Sequence, residues 1–289
     1  MTQFFDYWAT MLADPLMQRA LLVAALVGAA APIVGTYLVQ RRLALLGDGI
    51  GHVALTGVAL GWLIGAGMGL TPGALAVPGA IAAAVLGAIA IELVRATGRT
   101  SGDLALAIMF YGGIAGGAVL IKLAGGTSAN LVAYLFGSLA TVSSSDVVIT
   151  LALCGVILAV GLGLRWALLA VTTDTPAAKA AGLPTRAYSI ILATLAALSV
   201  TTAMRVVGLL LVSALMIVPV AVAQLGTRSF SRTMALATAL GVGVALAGLI
   251  MSYWYDLPPG ATIVVLAIVL YALVAALRPL VLRRKVAQP

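Results

Sequence analysis

The chain has 289 residues, of which 63% are hydrophobic and only 8% charged, and its net charge is +8 at neutral pH. Soluble domains carry about 25% charged residues, so this composition excludes a soluble enzyme, a nucleic-acid binder and a disordered chain. The remaining class is a polytopic membrane protein, because continuous apolar runs of about 20 residues recur along the chain. The runs do not alternate as the strands of a membrane barrel do.

Apolar segments of about the length that crosses a bilayer predict an all-α membrane bundle of about nine spans, with eight to ten allowed. In chain order they cover residues 20–40, 50–66, 73–94, 103–123, 146–164, 187–204, 207–225, 233–253 and 261–281. The whole chain, 1–289, is expected to be one transmembrane domain.

The cations predict an orientation. With the N-terminus outside and the C-terminus in the cytoplasm, 13 of the 16 Lys and Arg residues fall on the cytoplasmic side. The positive-inside rule favours this topology. Residues 1–18 then form an aromatic-rich segment at the outer interface, and residues 127–145 form a re-entrant or interfacial element on the same side.

The longest cytoplasmic connection in this topology, residues 172–185, is too polar to span and predicts a short helix. Its signals are a cap, a first-turn proline, a stop glycine and a further proline: Asp174 or Thr175, Pro176, Gly182 and Pro184. A helix of this kind lies on the membrane surface or docks into a partner.

One pair of polar residues has side chains and a spacing that suit metal binding. Asp48 and His52, the only histidine, are four residues apart on one helix face, which Thr56 continues. A carboxylate and an imidazole on one face can bind a divalent transition metal such as Zn²⁺ or Mn²⁺. The alternative is that Asp48 caps the helix and His52 is a hydrogen-bonded core residue. Two ligands are too few for a closed site, whereas a homodimer supplies four.

The remaining carboxylates near the spans are interpreted as helix caps or turn residues: Glu92, Asp103, Asp146 and Asp256. Other polar and soft groups are candidates to line a path: Ser199, Thr201, Thr202, Met204, Ser213 and Met216. No phosphate-binding loop of the type GxxxxGK[ST] occurs in the chain. ATP hydrolysis through such a loop therefore requires another polypeptide.

Glycines at helical spacing mark two of the predicted spans. They are Gly57, Gly61, Gly65 and Gly69, and then Gly112, Gly113, Gly116 and Gly117. Small residues at this spacing allow two helix backbones to approach closely. The favoured interpretation is packing within one bundle, and a subunit interface is the lesser alternative.

Several ordered motifs together resemble the membrane permeases of zinc- and manganese-importing ABC transporters. The first, RRLALLGDGIGHVALTGVALG, spans residues 41–61 and contains both Asp48 and His52. The others are AYLFGSL (133–139), the 173–184 segment, MRVVGLLLVSALMIVPVAVAQL (204–225) and YDLPPGATIVV (255–265). The resemblance covers nearly the whole chain after residue 17. Gly51 departs from it, since many relatives have Ser or Ala before the histidine.

The resemblance implies a homodimeric permease in a bacterial inner membrane, with a separate cytoplasmic ABC ATPase and an extracytoplasmic metal-binding receptor as partners. It implies that Asp48 and His52 lie on the metal pathway and that residues 173–184 couple to the ATPase. The coupling residues it assigns are Asp174, Thr175, Pro176, Ala177, Ala178, Lys179, Gly182 and Pro184.

The expected function is thus ATP-driven import of a divalent transition-metal ion, by a subunit that is not itself an enzyme and holds no permanent cofactor. Imidazole suits zinc and carboxylate suits manganese; the chain offers both, and zinc is favoured. The alternatives are a siderophore or cobalamin permease, an ATP-independent metal carrier and, more remotely, an intramembrane enzyme that uses His52.

Overall fold

The computed structural model describes residues 2–71, 73–97, 102–125, 134–137, 142–204, 207–209 and 212–286. Within these ranges the chain forms helices and no strand. The helices discussed below are α1 (Thr2–Ala13), α2 (Pro15–Gln40), α3 (Leu46–Gly67), α4 (Ala76–Ala96), α5 (Gly102–Leu123), α6 (Ser144–Gly163), α7 (Arg165–Thr173), α8 (Thr175–Ala180), α9 (Thr185–Ala203), α10 (Val212–Gly226), α11 (Phe230–Tyr255) and α12 (Pro259–Val286).

The predicted all-α membrane bundle is confirmed. In the described ranges, 8 helices are long and apolar enough to cross a membrane, and α10 is a further apolar helix of 15 residues. Two helix starts differ from the prediction by five residues. Helix α2 begins at Pro15 rather than near residue 20, because the Asp14 side chain caps it by accepting from the Leu16 N–H at 2.9 Å. In the segment predicted at 207–225, residues 207–209 are not helical, and the described helix begins at Val212.

Three helices form the interior of the bundle. In α2, 72% of the most hydrophobic window is buried, and in α3 and α9 the share is 61%, against 17% in α12. Helix α2 packs against α1, α6, α7, α9, α10 and α11, while α3 packs against α4, α5, α9 and α10. A helix that is apolar on all sides suits this enclosed position. On α3 the His52 side chain is accordingly buried, while Asp48 and Thr56 are half-buried.

Close packing within the bundle is confirmed for part of the two predicted groups of glycines. Where α2 crosses α11, a methyl group on Gly28 would stand 2.7 Å from the Gly241 oxygen. Where α3 crosses α4, a methyl group on Gly57 would collide with the Gly79 backbone. A methyl group on Gly65, by contrast, would have no atom within 4 Å, so the glycines of α3 contribute to close packing only over part of the helix.

A break separates α9 from α10, and a second segment of chain fills it. Of the predicted re-entrant element 127–145, residues 127–133 and 138–141 lie outside the described residues. Residues 134–137 pack into the break: the Leu209 N–H donates to the Tyr134 carbonyl at 3.0 Å. Gly208 has φ +88° and its Cα faces the backbone of residues 135–137, which leaves no room for a side chain.

Helix α1 covers one end of the bundle. Trp8 packs edge-to-face on Trp254, near the C-terminal end of α11, with 5.0 Å between ring centroids. The segment predicted at residues 1–18 comprises α1 and the first turn of α2.

Candidate functional site

Asp48 lies in the first turn of α3, but it is not the helix cap. The N-cap is Leu45, which makes no side-chain capping hydrogen bond, so the capping alternative for Asp48 is wrong. The Asp48 carboxylate instead accepts a short hydrogen bond from the Ser213 hydroxyl at the start of α10. The two residues are 165 positions apart in sequence. A partly exposed carboxylate is thus held at the junction of α3 and α10.

His52 lies one turn further along α3 and is only 5% exposed. Its Nδ1 atom is buried and has no hydrogen-bond partner among the described residues. Phe110 on α5 packs against the imidazole edge-to-face, with 4.3 Å between ring centroids. A buried ring nitrogen without a partner carries a free-energy cost. His52 is therefore not the fully hydrogen-bonded core residue of the alternative interpretation, because its Nδ1 atom lacks a partner among the described residues.

Helix α5 fixes the position of His52 through a close backbone contact. A methyl group on Gly113 would stand 2.5 Å from the His52 carbonyl carbon and 2.8 Å from its Cβ. Thr56, the next residue on the predicted face, donates from its hydroxyl to the Gly113 carbonyl at 2.9 Å. Gly113 is therefore needed for the distance between α5 and α3 at the histidine.

Helix α10 and the break before it enclose the other side of the pair. A methyl group on Gly47 would lie 3.3 Å from Ser213 Cβ and 3.6 Å from Met216 Cε. A methyl group on Gly51 would lie 3.2 Å from the Leu209 carbonyl oxygen. Two of the predicted path residues, Ser213 and Met216, thus reach the start of α3.

Other predicted path residues lie elsewhere. Thr201 and Thr202 donate from their hydroxyls to carbonyls of their own helix and line a small cavity with Asp146 and Thr150. Asp146 itself forms a capping box with Ser143, as predicted for a carboxylate at a span start. No group of three or more His, Cys, Asp or Glu side chains that could hold a metal is found within the described ranges. Asp48 and His52 are therefore not joined by a third such side chain from these ranges.

The predicted helix in the 173–184 segment is confirmed as α8. Asp174 is the N-cap and its carboxylate accepts from the Ala177 N–H at 2.9 Å; Pro176 occupies the first turn. Gly182 ends the helix with φ +82°. Ala178 is 4% exposed and faces its own chain, whereas Ala177 and Lys179 are exposed.

Among the described residues, 8 helices are long and apolar enough to cross a membrane, and one of them carries a half-buried carboxylate and a buried imidazole. These features are typical of a multi-pass membrane transport protein. Over residues 13–278 the chain matches the ABC 3 transport family. The chain belongs to this family.

Similar proteins agree with this assignment. The manganese transport system membrane protein MntC of Halalkalibacterium halodurans is 35% identical over 94% of this chain and 90% of its own length. The manganese import system permease protein ScaB of Streptococcus gordonii is 30% identical over 88% of both chains. The solved structure of PsaBC from Streptococcus pneumoniae in complex with Fab matches with a TM-score of 0.81 and 30% identity, over 94% of this chain and 95% of the other.

Proposed function

We propose that the chain is the permease subunit of an ATP-driven importer and that its cargo is a divalent transition-metal ion. The observation that carries this proposal is the pair on α3. Asp48 is held by Ser213, and His52 presents a buried Nδ1 with no partner among the described residues. A carboxylate oxygen and an imidazole nitrogen are ligands that such ions accept.

The incomplete ligand shell suits transport, because an ion must be released as well as bound. We infer that two copies of the chain face each other and that each contributes Asp48 and His52 to one pathway. A separate cytoplasmic ATPase closes on nucleotide, and an extracytoplasmic receptor delivers the ion. The ABC family assignment disfavours the alternative of an ATP-independent carrier.

The identity of the ion is tested by direct uptake. The names of similar proteins favour manganese, whereas the preference for zinc drawn from the sequence remains a prediction. The experiment reconstitutes the permease with its ATPase and receptor in vesicles and measures ATP-dependent accumulation of Mn²⁺ and Zn²⁺, separately and in competition. We expect accumulation of at least one ion only when ATP is present. Equal accumulation with and without ATP would contradict the proposal.

The proposed orientation has the N-terminus outside and the C-terminus in the cytoplasm of a bacterial cell. The distribution of 13 of 16 cations supports it. With α10 counted as a crossing, the chain has nine spans, α2–α6 and α9–α12. In the proposed orientation, α8 then lies on the cytoplasmic side. The α1–Trp254 contact agrees with an outer position for residues 1–18, since α11 then ends outside.

Helix α8 is the proposed contact with the ATPase. The carboxylate cap and the glycine stop make it a rigid unit, and its exposed small side chains allow a partner surface to approach closely. Because Ala178 is buried in its own chain, Ala177 is the better test position.

Replacing Ala177 by Glu is expected to weaken association with the ATPase by about tenfold or more, which corresponds to ~1.4 kcal/mol. The reason is that a charged side chain would lie in the proposed interface. Co-purification, ATPase rate and metal uptake are measured together. The matched control is Ser231→Glu, which adds the same charge to an exposed residue at the start of α11, on the same predicted side. If Ala177→Glu behaves like this control, α8 is not the coupling element.

A further inference from the structure

Arg41, the C-cap residue of α2, connects three helices at the end of the bundle next to α8. Its Nη2 donates to the Ser189 hydroxyl on α9 at 2.7 Å and lies 3.8 Å from Glu92 Oε1 on α4. Arg95 donates to the other Glu92 oxygen at 3.1 Å. Glu92, interpreted from the sequence as a capping or turn residue, thus pairs with two arginines.

Two members of this group are buried, and the two arginines are half-buried. Glu92 is 8% exposed and Ser189 is 4% exposed. Burial lowers the pKa of the Arg41 guanidinium, while the Glu92 carboxylate acts in the opposite direction. A buried ion pair contributes little net stability, because desolvation offsets the attraction, but it does define one arrangement of its partners. The importance of the ion pair is therefore expected to lie in the position that it gives the Arg41 guanidinium, rather than in stability.

Ser189 is closely connected to α8. It lies in the second turn of α9, which begins at Thr185, just after the short linker that follows α8. Within that linker the Leu183 N–H donates to the Ala178 carbonyl at 3.1 Å. A displacement of α8 would therefore move the start of α9, and Ser189 with it.

Arg41 is closely connected to the start of α3. The connection from α2 is short and hydrogen-bonded: the Leu43 N–H donates to the Leu38 carbonyl at 2.8 Å, and the Leu46 N–H to the Leu43 carbonyl at 3.0 Å. Asp48 follows in the first turn of α3. The Arg41–Ser189 hydrogen bond thus joins the two connections, one leading to α8 and the other to the carboxylate–imidazole pair.

We propose that Arg41 and Ser189 are positioning residues that transmit the movement of α8 to the helix that carries Asp48 and His52, with Glu92 holding the guanidinium in place. The inference rests on the proposed function, since it gives α8 and the pair their roles. Packed side chains, hydrogen bonds and rigid helices that have two arrangements can carry energetic coupling between distant sites. The Arg41–Ser189 hydrogen bond links α2 directly to α9, and in the proposed mechanism it forms or breaks as α9 moves.

The experiment measures metal uptake per ATP hydrolysed, in vesicles that contain the permease complex. Ser189→Ala removes only the hydroxyl, and we expect the ratio to fall by about fivefold or more, the lower end of typical coupling between sites. ATPase activity and complex assembly should persist. Ser189→Thr retains the hydroxyl and should restore most of the ratio. Arg41→Gln should reduce the ratio similarly, and the double variant should be no worse than either single variant.

The control is Arg42→Asn, which removes a cation at the neighbouring exposed position and suits its φ of +58°. It should keep the wild-type ratio. The inference is overturned if Ser189→Ala and Arg41→Gln also keep that ratio, or if Ser189→Thr is as defective as Ser189→Ala. Failure of the wild-type complex to take up metal with ATP would instead contradict the proposed function, so the two failures are distinguishable.

Discussion

Replacing Asp48 or His52 by Ala is expected to reduce metal uptake by about 100-fold or more, while the complex remains assembled. Changes to groups that only orient metal ligands already cost 10–100-fold in affinity or activity, and these two side chains are the proposed ligands themselves. No further carboxylate, imidazole or thiolate completes a cluster with them in the described part of the chain. The measurement is initial uptake of Mn²⁺ and Zn²⁺ in vesicles, normalised to the amount of complex.

Ser213→Ala separates a ligand role from a positioning role. This variant keeps both proposed ligands and removes only the hydroxyl that donates to Asp48. We expect a smaller loss of uptake than for Asp48→Ala, because the carboxylate charge is retained. Near-normal uptake by Asp48→Ala and by His52→Ala would remove the pair from the mechanism.

Gly113→Ala is expected to abolish most uptake without changing any polar group. The added methyl group would stand 2.5 Å from the His52 carbonyl carbon, so α5 and α3 would have to separate at the histidine. Overpacking of this kind costs about 1–3 kcal/mol, which exceeds the helix propensity of about 1 kcal/mol gained on replacing Gly by Ala. Thermal stability of the purified protein and metal uptake should both fall.

Gly112→Ala is the matched control for this prediction. A methyl group on Gly112 meets no atom within 4 Å, and the residue lies on the same helix, one position away. The control should therefore keep or slightly raise thermal stability and retain uptake. If Gly113→Ala and Gly112→Ala behave alike, the close contact between α5 and His52 has no functional importance.

The membrane helices could be predicted because the length and apolarity of a span are local properties. Most predicted segments end within a few residues of the observed helices. The exceptions have local physical causes that hydropathy does not detect. At Asp14 a polar residue caps α2 and extends it through Pro15. Around Gly208 a continuous apolar run is interrupted by a turn that residues 134–137 stabilise.

The pair on α3 could be predicted for the same reason, since a spacing of four residues places two side chains on one helix face. Its surroundings could not. Ser213 reaches Asp48 across 165 residues of sequence, and hydropathy does not define which helices meet. Likewise, the sequence marks Gly112 and Gly113 equally, but only the rotation of α5 decides that Gly113 contacts His52. The buried, unpartnered Nδ1 is a property of packing alone.

The shortness of α10 has a consequence for how the protein enters the membrane. Its 15 residues extend over about 22 Å at 1.5 Å per residue, less than the ~30 Å hydrocarbon thickness. It packs against α2, α3, α9, α11 and α12, so protein rather than lipid surrounds it. Such a helix lacks the length to partition alone as it leaves the ribosome. We therefore expect α10 to insert together with the longer helices α9 and α11 on either side of it. It should reach its final depth only when it packs against α2 and α3, which are synthesised much earlier.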